Sequence, residues 1–252
     1  MAGTTFVLVP GYWLGGWAWD PVAATLRAAG HGVDALTLPG LAAAGLDRSA
    51  VRLDDHVAAV AAAVAAAGGE VVLVAHSGAG KVVSAVLDAD PTAVRRVVYV
   101  DSGPAADGLA DPLPPEVVEL PLPPWDELAG SVEGLTDEQL DTFRRRAVPH
   151  PAAVAREPVR LRDPARHAVP TTLVACSIPP ATVVELAAAG HPMFAAVAEL
   201  EDLTCAALPT GHWPMWSRPD DLAALLLAAA DQPAAAAVGP GGGPASRGAA
   251  GG

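Results

Sequence analysis

Val71-Val72-Leu73-Val74-Ala75-His76-Ser77-Gly78-Ala79-Gly80-Lys81 joins a run of aliphatic residues to a cluster of small ones, with a serine at the junction. Four aliphatic residues in succession predict a strand covered on both faces, as in a parallel sheet. Ala75, Gly78, Ala79 and Gly80 let the strand and a following helix approach closely, and they suit strained backbone at the serine. Such a strand, turn and helix lift a hydroxyl out of the backbone at the carboxyl edge of a sheet. Ligands bind there in open α/β folds. Ser77 is the first candidate nucleophile.

Outward from this stretch, strands and helices alternate. Thr5 to Pro10 reads as a strand, followed by the Gly- and Trp-rich loop Gly11-Tyr12-Trp13-Leu14-Gly15-Gly16-Trp17-Ala18-Trp19. Asp20-Pro21 starts a helix, with Asp as N-cap. Gly32 to Leu38 is a second strand, and Asp54 caps an Ala/Val helix over 55–67. After the serine strand and its helix, Val97 to Val100 is a fourth strand ending at Asp101. Pro170 to Cys176 and Leu203 to Leu208 are the fifth and sixth. Helices open at Pro180, His191-Pro192 and Pro219. Alternation of this kind predicts an α/β fold, a doubly wound, mostly parallel sheet with helices on both faces.

Residues 105–167 break the pattern. Prolines crowd 112–124, and a helix over Thr136 to Ala147 carries Arg144-Arg145-Arg146, expected as a solvated face. We read 105–167 as an inserted cap, 1–104 and 168–231 as the core, and the Ala/Gly/Pro segment 232–252 as a disordered tail.

The composition bounds the function. The 252 residues are 52% hydrophobic with a formal net charge of −13. That is enough for one substantial core, and the acidic balance argues against nucleic acid and anionic membranes as partners. Cys176 and Cys205 fall in apolar runs and are expected as buried free thiols. No basic, apolar leader precedes the first strand, and no run reaches the roughly 18 apolar residues of a membrane span. A soluble, cytoplasmic protein with a small-molecule substrate is expected, its oligomeric state open, a homodimer included. His and Cys residues are scattered without ligand spacing, so no metal or other cofactor is expected.

A serine hydroxyl needs a base and oxyanion donors to act at neutral pH. Of seven histidines, His212 follows the last strand and leaves the same sheet edge as Ser77. It is the expected base. His76 packs or orients the turn, and His191 starts a helix or lines the pocket. The backbone N–H of Gly78 opens the helix after the serine, where the helix dipole favours negative charge. The N–H of Tyr12, in the loop after the first strand, is the expected second donor. Ala75 to Lys81 also approximates a phosphate loop. Ala75 replaces its first glycine and Val82 its magnesium-binding hydroxyl, so nucleotide binding is rejected and Lys81 is expected on the helix surface.

Together, the strand running into Pro10-Gly11-Tyr12-Trp13, the Ala75-His76-Ser77-Gly78-Ala79-Gly80 elbow, the insertion after the fourth strand and the late Gly211-His212 resemble the α/β-hydrolase superfamily. More narrowly they resemble its small cofactor-free branch of esterases, lactonases and hydroxynitrile lyases, over residues 4–231. The resemblance implies an order of serine, acid and histidine along the chain. Three departures stand out. Alanine flanks the elbow at Ala75 and Ala79. Pro10 replaces the histidine of the usual His-Gly oxyanion loop. The loop after the fifth strand, where the acid usually lies, reads Ser177-Ile178-Pro179-Pro180. Some members carry the acid at the end of the strand beside the serine strand, so Asp101 is the expected acid. Glu185, Asp202, no acid at all, or a purely structural Asp101 are the alternatives.

Trp13, His76 and Trp213 are expected in the substrate pocket, with Trp17 and Trp125 as further wall candidates. An apolar cleft with few polar anchors suits an uncharged ester, thioester or lactone. Three functions stay open: a serine hydrolase with a Ser77 acyl-enzyme, a cofactor-free lyase or cyclase using the same pair, and a non-catalytic receptor.

Overall fold

The computed structural model describes residues 3–233; most of the expected tail, from 234 on, lies outside them. Strand β1 (Thr5–Val9) leads through the tryptophan loop to helix α1 (Asp20–Ala28) and strand β2 (Gly32–Ala35). Helix α2 (Leu53–Ala67), strand β3 (Val71–His76), helix α3 (Ala79–Ala89) and strand β4 (Arg96–Val100) follow. Between β4 and the next sheet strand lie β5 (Glu119–Leu120), α4 (Asp137–Arg146), β6 (His150–Pro151) and α5 (Ala152–Arg156). Strand β7 (Thr171–Ala175), α6 (Pro180–Ala188), β8 (Leu203–Ala207), the short α7 (Pro214–Ser217) and α8 (Pro219–Asp231) complete the chain.

The six strands of the main sheet run in the order β2-β1-β3-β4-β7-β8, all parallel. Strand alternation splits the core. Val7, Val9, Leu73, Ala75, Val97 and Tyr99 face α2 and α3. Phe6, Leu8, Val72, Val74, Val98 and Val100 face α1 and α8. Each buried Val, Leu or Phe contributes about 1.5–3 kcal/mol of hydrophobic stabilisation. The chain passes from β1 to β2 on one side and to β3 on the other, so the carboxyl ends of β1 and β3 flank a topological switch point.

Several local expectations are corrected. Trp19, not Asp20, is the N-cap of α1, with Asp20 in its first turn. Helix α2 opens at Leu53, and the Asp55 carboxylate accepts from the Arg52 amide at 2.8 Å, taking the capping role expected of Asp54. Strand β2 stops at Ala35 because the chain turns to the loop after β1, where Thr37 Oγ1 accepts from the Gly16 amide. The segment after His191 is a 3-10 turn over Pro192–Val197, which His191 starts by accepting from the Met193 amide.

The inserted region carries the antiparallel pair β5–β6, which its prolines concealed. Thr136 and Gln139 close a capping box on α4. The three arginines are exposed, but two guanidinium groups stack on indoles: Arg144 over Trp125 at 4.0 Å and Arg146 over Trp17 at 4.4 Å. Trp17, Trp125, Phe143, Trp213 and Trp216 form one aromatic cluster that fastens the insertion to the core.

Lys81 is not on the surface. Its side chain runs under the insertion, and Nζ donates to the carbonyls of Val154, Ala155 and Glu157 at 3.0, 2.8 and 2.5 Å. The ammonium group thus caps the carboxyl end of α5 and ties it to the serine helix. Cys176 is buried just past β7, and Cys205 is half-buried in β8; both are free thiols. No helix among the described residues is long and apolar enough to cross a membrane.

Candidate active site

Only three non-glycine residues among those described have positive φ: Trp13 (67°), Ser77 (53°) and Asp101 (42°). They lie just past the carboxyl ends of β1, β3 and β4. Left-handed backbone at such residues costs about 1–3 kcal/mol each and persists where surrounding contacts enforce it. Here the sheet ladder does so. The Ser77 amide donates to Val100 O at 3.3 Å and the Asp101 amide to Val174 O at 2.9 Å. Ser77, Asp101 and the end of β7 therefore stand side by side along one edge.

Glycine makes the elbow possible. A Cβ on Gly11 would lie 2.8 Å from Ser77 Cβ, and one on Gly78 would collide with the Tyr12 ring. The loop after β1 thus packs directly on the serine turn. Neither the Tyr12 nor the Gly78 amide has a hydrogen-bond acceptor among the described residues. Ser102 Oγ donates to the Ser77 carbonyl at 2.6 Å and holds the turn from the other side.

His212 Nε2 lies 2.7 Å from Ser77 Oγ, and His212 Nδ1 lies 2.5 Å from Asp101 Oδ2. The histidine loop is pinned through its backbone. The His212 amide donates to Ser131 O at 2.7 Å, and the Gly211 amide to Glu133 O at 3.2 Å, both in the insertion. A side chain at position 211 would strike those same carbonyls.

Asp101 is held by more than His212. Oδ1 accepts from the amides of Cys176 and Ser177 at 3.2 and 3.0 Å, and Ser177 Oγ lies 2.8 and 2.7 Å from the two carboxylate oxygens. Burial favours the neutral acid, but hydrogen bonds from His212 and Ser177 outweigh it, and the carboxyl ionises below its ordinary range. The loop that lacks a carboxylate thus supplies the donors that hold one from the neighbouring strand. Glu185, inside α6, and Asp202, before β8, have no part in these contacts.

His76, expected in the pocket, is instead buried at 1% exposure behind the elbow. Its Nε2 donates to the carbonyl of His212 at 2.7 Å, which fixes the tautomer. Burial first, and the nearby His212 second, push its pKa down, so it is neutral at pH 7. Trp213, also expected in the pocket, is 2% exposed and packs edge-on against Phe143. Trp13 donates from Nε1 to Leu120 O at 3.0 Å, holding β5 of the insertion.

The cavity beside the site lies elsewhere, and none of the six tryptophan and histidine candidates for its wall, His191 included, lines it. It measures about 250 Å³ between β7, α6 and the 3-10 turn, with Leu173, Val183, Phe194 and Val197 as apolar walls. Asp101 and His212 contribute its polar end.

Residues 6–225 match the model of the alpha/beta hydrolase family. The chain belongs to the alpha/beta hydrolase family. The chain is 38% identical over 120 residues to a carbendazim hydrolyzing esterase from Nocardioides sp. strain SG-4G, a match covering 44% of this chain and 50% of that relative. It therefore aligns with about half the length of that curated relative. Solved structures share its fold. An extracellular alpha/beta-hydrolase from a Paenibacillus species, with homology to a tobacco salicylic acid binding protein, is 22% identical with a TM-score of 0.72, covering 91% of this chain and all of that one. A methylesterase from Arabidopsis is 18% identical with a TM-score of 0.71, covering 90% and 98%.

Two residues that hold the site escaped the sequence reading: Ser177 and Ser102. The first had a visible signal. A strand-end loop with a serine and free amides, opposite a candidate acid, is a natural cradle for a carboxylate.

Proposed function

We propose that this chain is a serine hydrolase acting on an uncharged small ester, thioester or lactone through a Ser77 acyl-enzyme. The observation that carries this is the unbroken chain Ser77 Oγ to His212 Nε2 and His212 Nδ1 to Asp101 Oδ2, at 2.7 and 2.5 Å. His212 takes the proton as Ser77 Oγ bonds to the acyl carbon. The amides of Tyr12 and Gly78 receive the developing oxyanion. Collapse breaks the bond to the leaving oxygen, which takes the proton from His212 Nε2. Water then attacks the acyl carbon, gives its proton to His212, and Ser77 leaves as the hydroxyl. The ionised Asp101 stabilises the imidazolium formed in each half.

The esterase and methylesterase descriptions of similar proteins support ester substrates, though each belongs to that protein. The loop after β7 that carries no carboxylate motivates a receptor reading, and the contacts of Asp101 with His212 and Ser177 favour the hydrolytic one over it. The test is an activity screen over ester and lactone chain lengths with Ser77→Ala as control. Hydrolysis by wild type and its loss by at least about 10³-fold in the variant is expected; comparable rates in both would refute the assignment.

A further inference from the structure

The β5–β6 pair of the insertion grips the loop after β1 at two consecutive residues. Leu120 and His150 face each other across that pair. Leu120 O accepts from the Trp13 indole at 3.0 Å, and the amide of Val148, two residues before His150, donates to Trp13 O at 3.0 Å. His150 meets the residue before Trp13. Its imidazole stacks on the Tyr12 ring, with centroids 4.0 Å apart and planes inclined by 22°. The same Tyr12 ring abuts the elbow. A Cβ on Gly78 would lie 2.3, 2.7 and 2.9 Å from its Cε1, Cδ1 and Cζ atoms.

From these contacts we infer that His150 is a positioning residue for the oxyanion donors: its flat face seats the Tyr12 ring on the elbow and so fixes the spacing of the Tyr12 and Gly78 amides. The inference rests on the serine hydrolysis proposed above, with those two amides as donors. His150 is 3% exposed, and neither ring nitrogen has a hydrogen-bond partner among the described residues. Its contact with the site is therefore the face laid on Tyr12. The ring of His56 backs it edge-on, 5.7 Å away at 87°, and is itself held by Nε2 donating to the Pro39 carbonyl at 2.9 Å. Tyr12 is fixed at its far end too, where its hydroxyl donates to Asp111 Oδ2 at 3.3 Å.

The backbone beside Tyr12 needs such support. Trp13 has φ of 67°, a left-handed conformation that persists where contacts enforce it. The bonds from Leu120 and Val148 do so on one side, and the His150 stack steadies the preceding residue on the other. Oxyanion donors act only when they stand about 2.7–3.1 Å from the oxygen that gains charge, so a small displacement of the Tyr12 amide weakens the transition state more than the bound substrate.

Two variants and one inhibitor test this. His150→Leu keeps apolar volume but loses the flat face, and His150→Phe keeps that face. With ethyl butanoate, an unactivated ester, His150→Leu should lower kcat about 30-fold, part of the roughly 10²–10³-fold that a whole oxyanion donor is worth, with KM changed less than about twofold. An alkyl trifluoromethyl ketone, which forms a tetrahedral oxyanion on Ser77, should bind that variant about 30-fold more weakly. His150→Phe should bring both values back to within about threefold of wild type. Wild-type kcat in His150→Leu, a change confined to KM, a loss of kcat without the matching loss of inhibitor affinity, or no recovery in His150→Phe would overturn the role of His150 alone. Ester turnover equally fast in Ser77→Ala would overturn the hydrolytic mechanism beneath it.

Discussion

Ser177 Oγ bridges both carboxylate oxygens of Asp101, at 2.8 and 2.7 Å, from a loop on the neighbouring strand. The amide of the same residue adds a third bond at 3.0 Å. Asp101 sits in left-handed backbone, and the hydroxyl and amide of Ser177 hold its carboxylate where it meets His212. In the proposed mechanism Ser177 acts as a positioning residue. Ser177→Ala should lower kcat about tenfold, the loss of one charge-assisted hydrogen bond. Ser177→Thr, which keeps the hydroxyl, should restore most of it. Equal deficits in both variants would point to packing rather than the hydroxyl.

Asp101 itself should matter more. Asp101→Asn keeps the shape but loses the charge that stabilises the imidazolium, and it favours the wrong tautomer of His212. Turnover should fall about 10³–10⁴-fold with little change in KM. An unchanged kcat would assign Asp101 a structural role only.

Lys81 links the serine helix to the insertion. Lys81→Met should leave the carbonyls of Val154, Ala155 and Glu157 without their donor. Each buried acceptor so stranded costs about 1–3 kcal/mol, tempered where water reaches it. A clear drop in the urea midpoint is expected, with faster proteolysis around α5. A midpoint equal to wild type would show that the carbonyls find other partners.

Acid should destabilise the fold from near neutrality. His150 is buried, with neither ring nitrogen hydrogen-bonded among the described residues. Burial first, then the charges of His56, Lys81 and Arg48, lower its pKa well below the ordinary value. His56 and His76 are lowered too, chiefly by burial. The unfolded chain therefore binds more protons once pH falls below about 6.5, and stability declines from there downward at up to about 1.4 kcal/mol per pH unit for each such histidine. His150→Phe keeps the stacking on Tyr12 and removes one titrating group. Chemical denaturation between pH 7 and 5 should show a shallower slope in the variant. An identical slope would exclude His150 as a contributor.

Much of this was legible in the chain. The inner strands β1, β3, β4 and β7 are almost wholly buried and were marked by their apolar residues, whereas the edge strands β2 and β8 are partly exposed and were marked by their place in the alternation. Ser77, His212 and Asp101 stood at strand ends, where parallel topology gathers side chains on one edge. The pocket was not legible. Trp13, Trp213 and His76 looked like its walls because aromatic residues near a nucleophile suggest a cleft, yet they brace the insertion, the core and the histidine loop. The walls of the cavity beside the site, such as Val183 and Val197, are ordinary aliphatics, and the space beside them comes from the packing of α6 and the 3-10 turn over β7. Lys81 misled for a related reason. Its charge marked a solvated face, but the insertion that covers it is distant in sequence and offers three carbonyls.

The central claim is that Ser77 is a nucleophile activated by His212. Intact-protein mass spectrometry after treatment with a fluorophosphonate tests it most directly. One phosphonyl adduct per chain is predicted, mapped to the peptide containing Ser77 and absent from Ser77→Ala. Equal labelling of wild type and Ser77→Ala would contradict it.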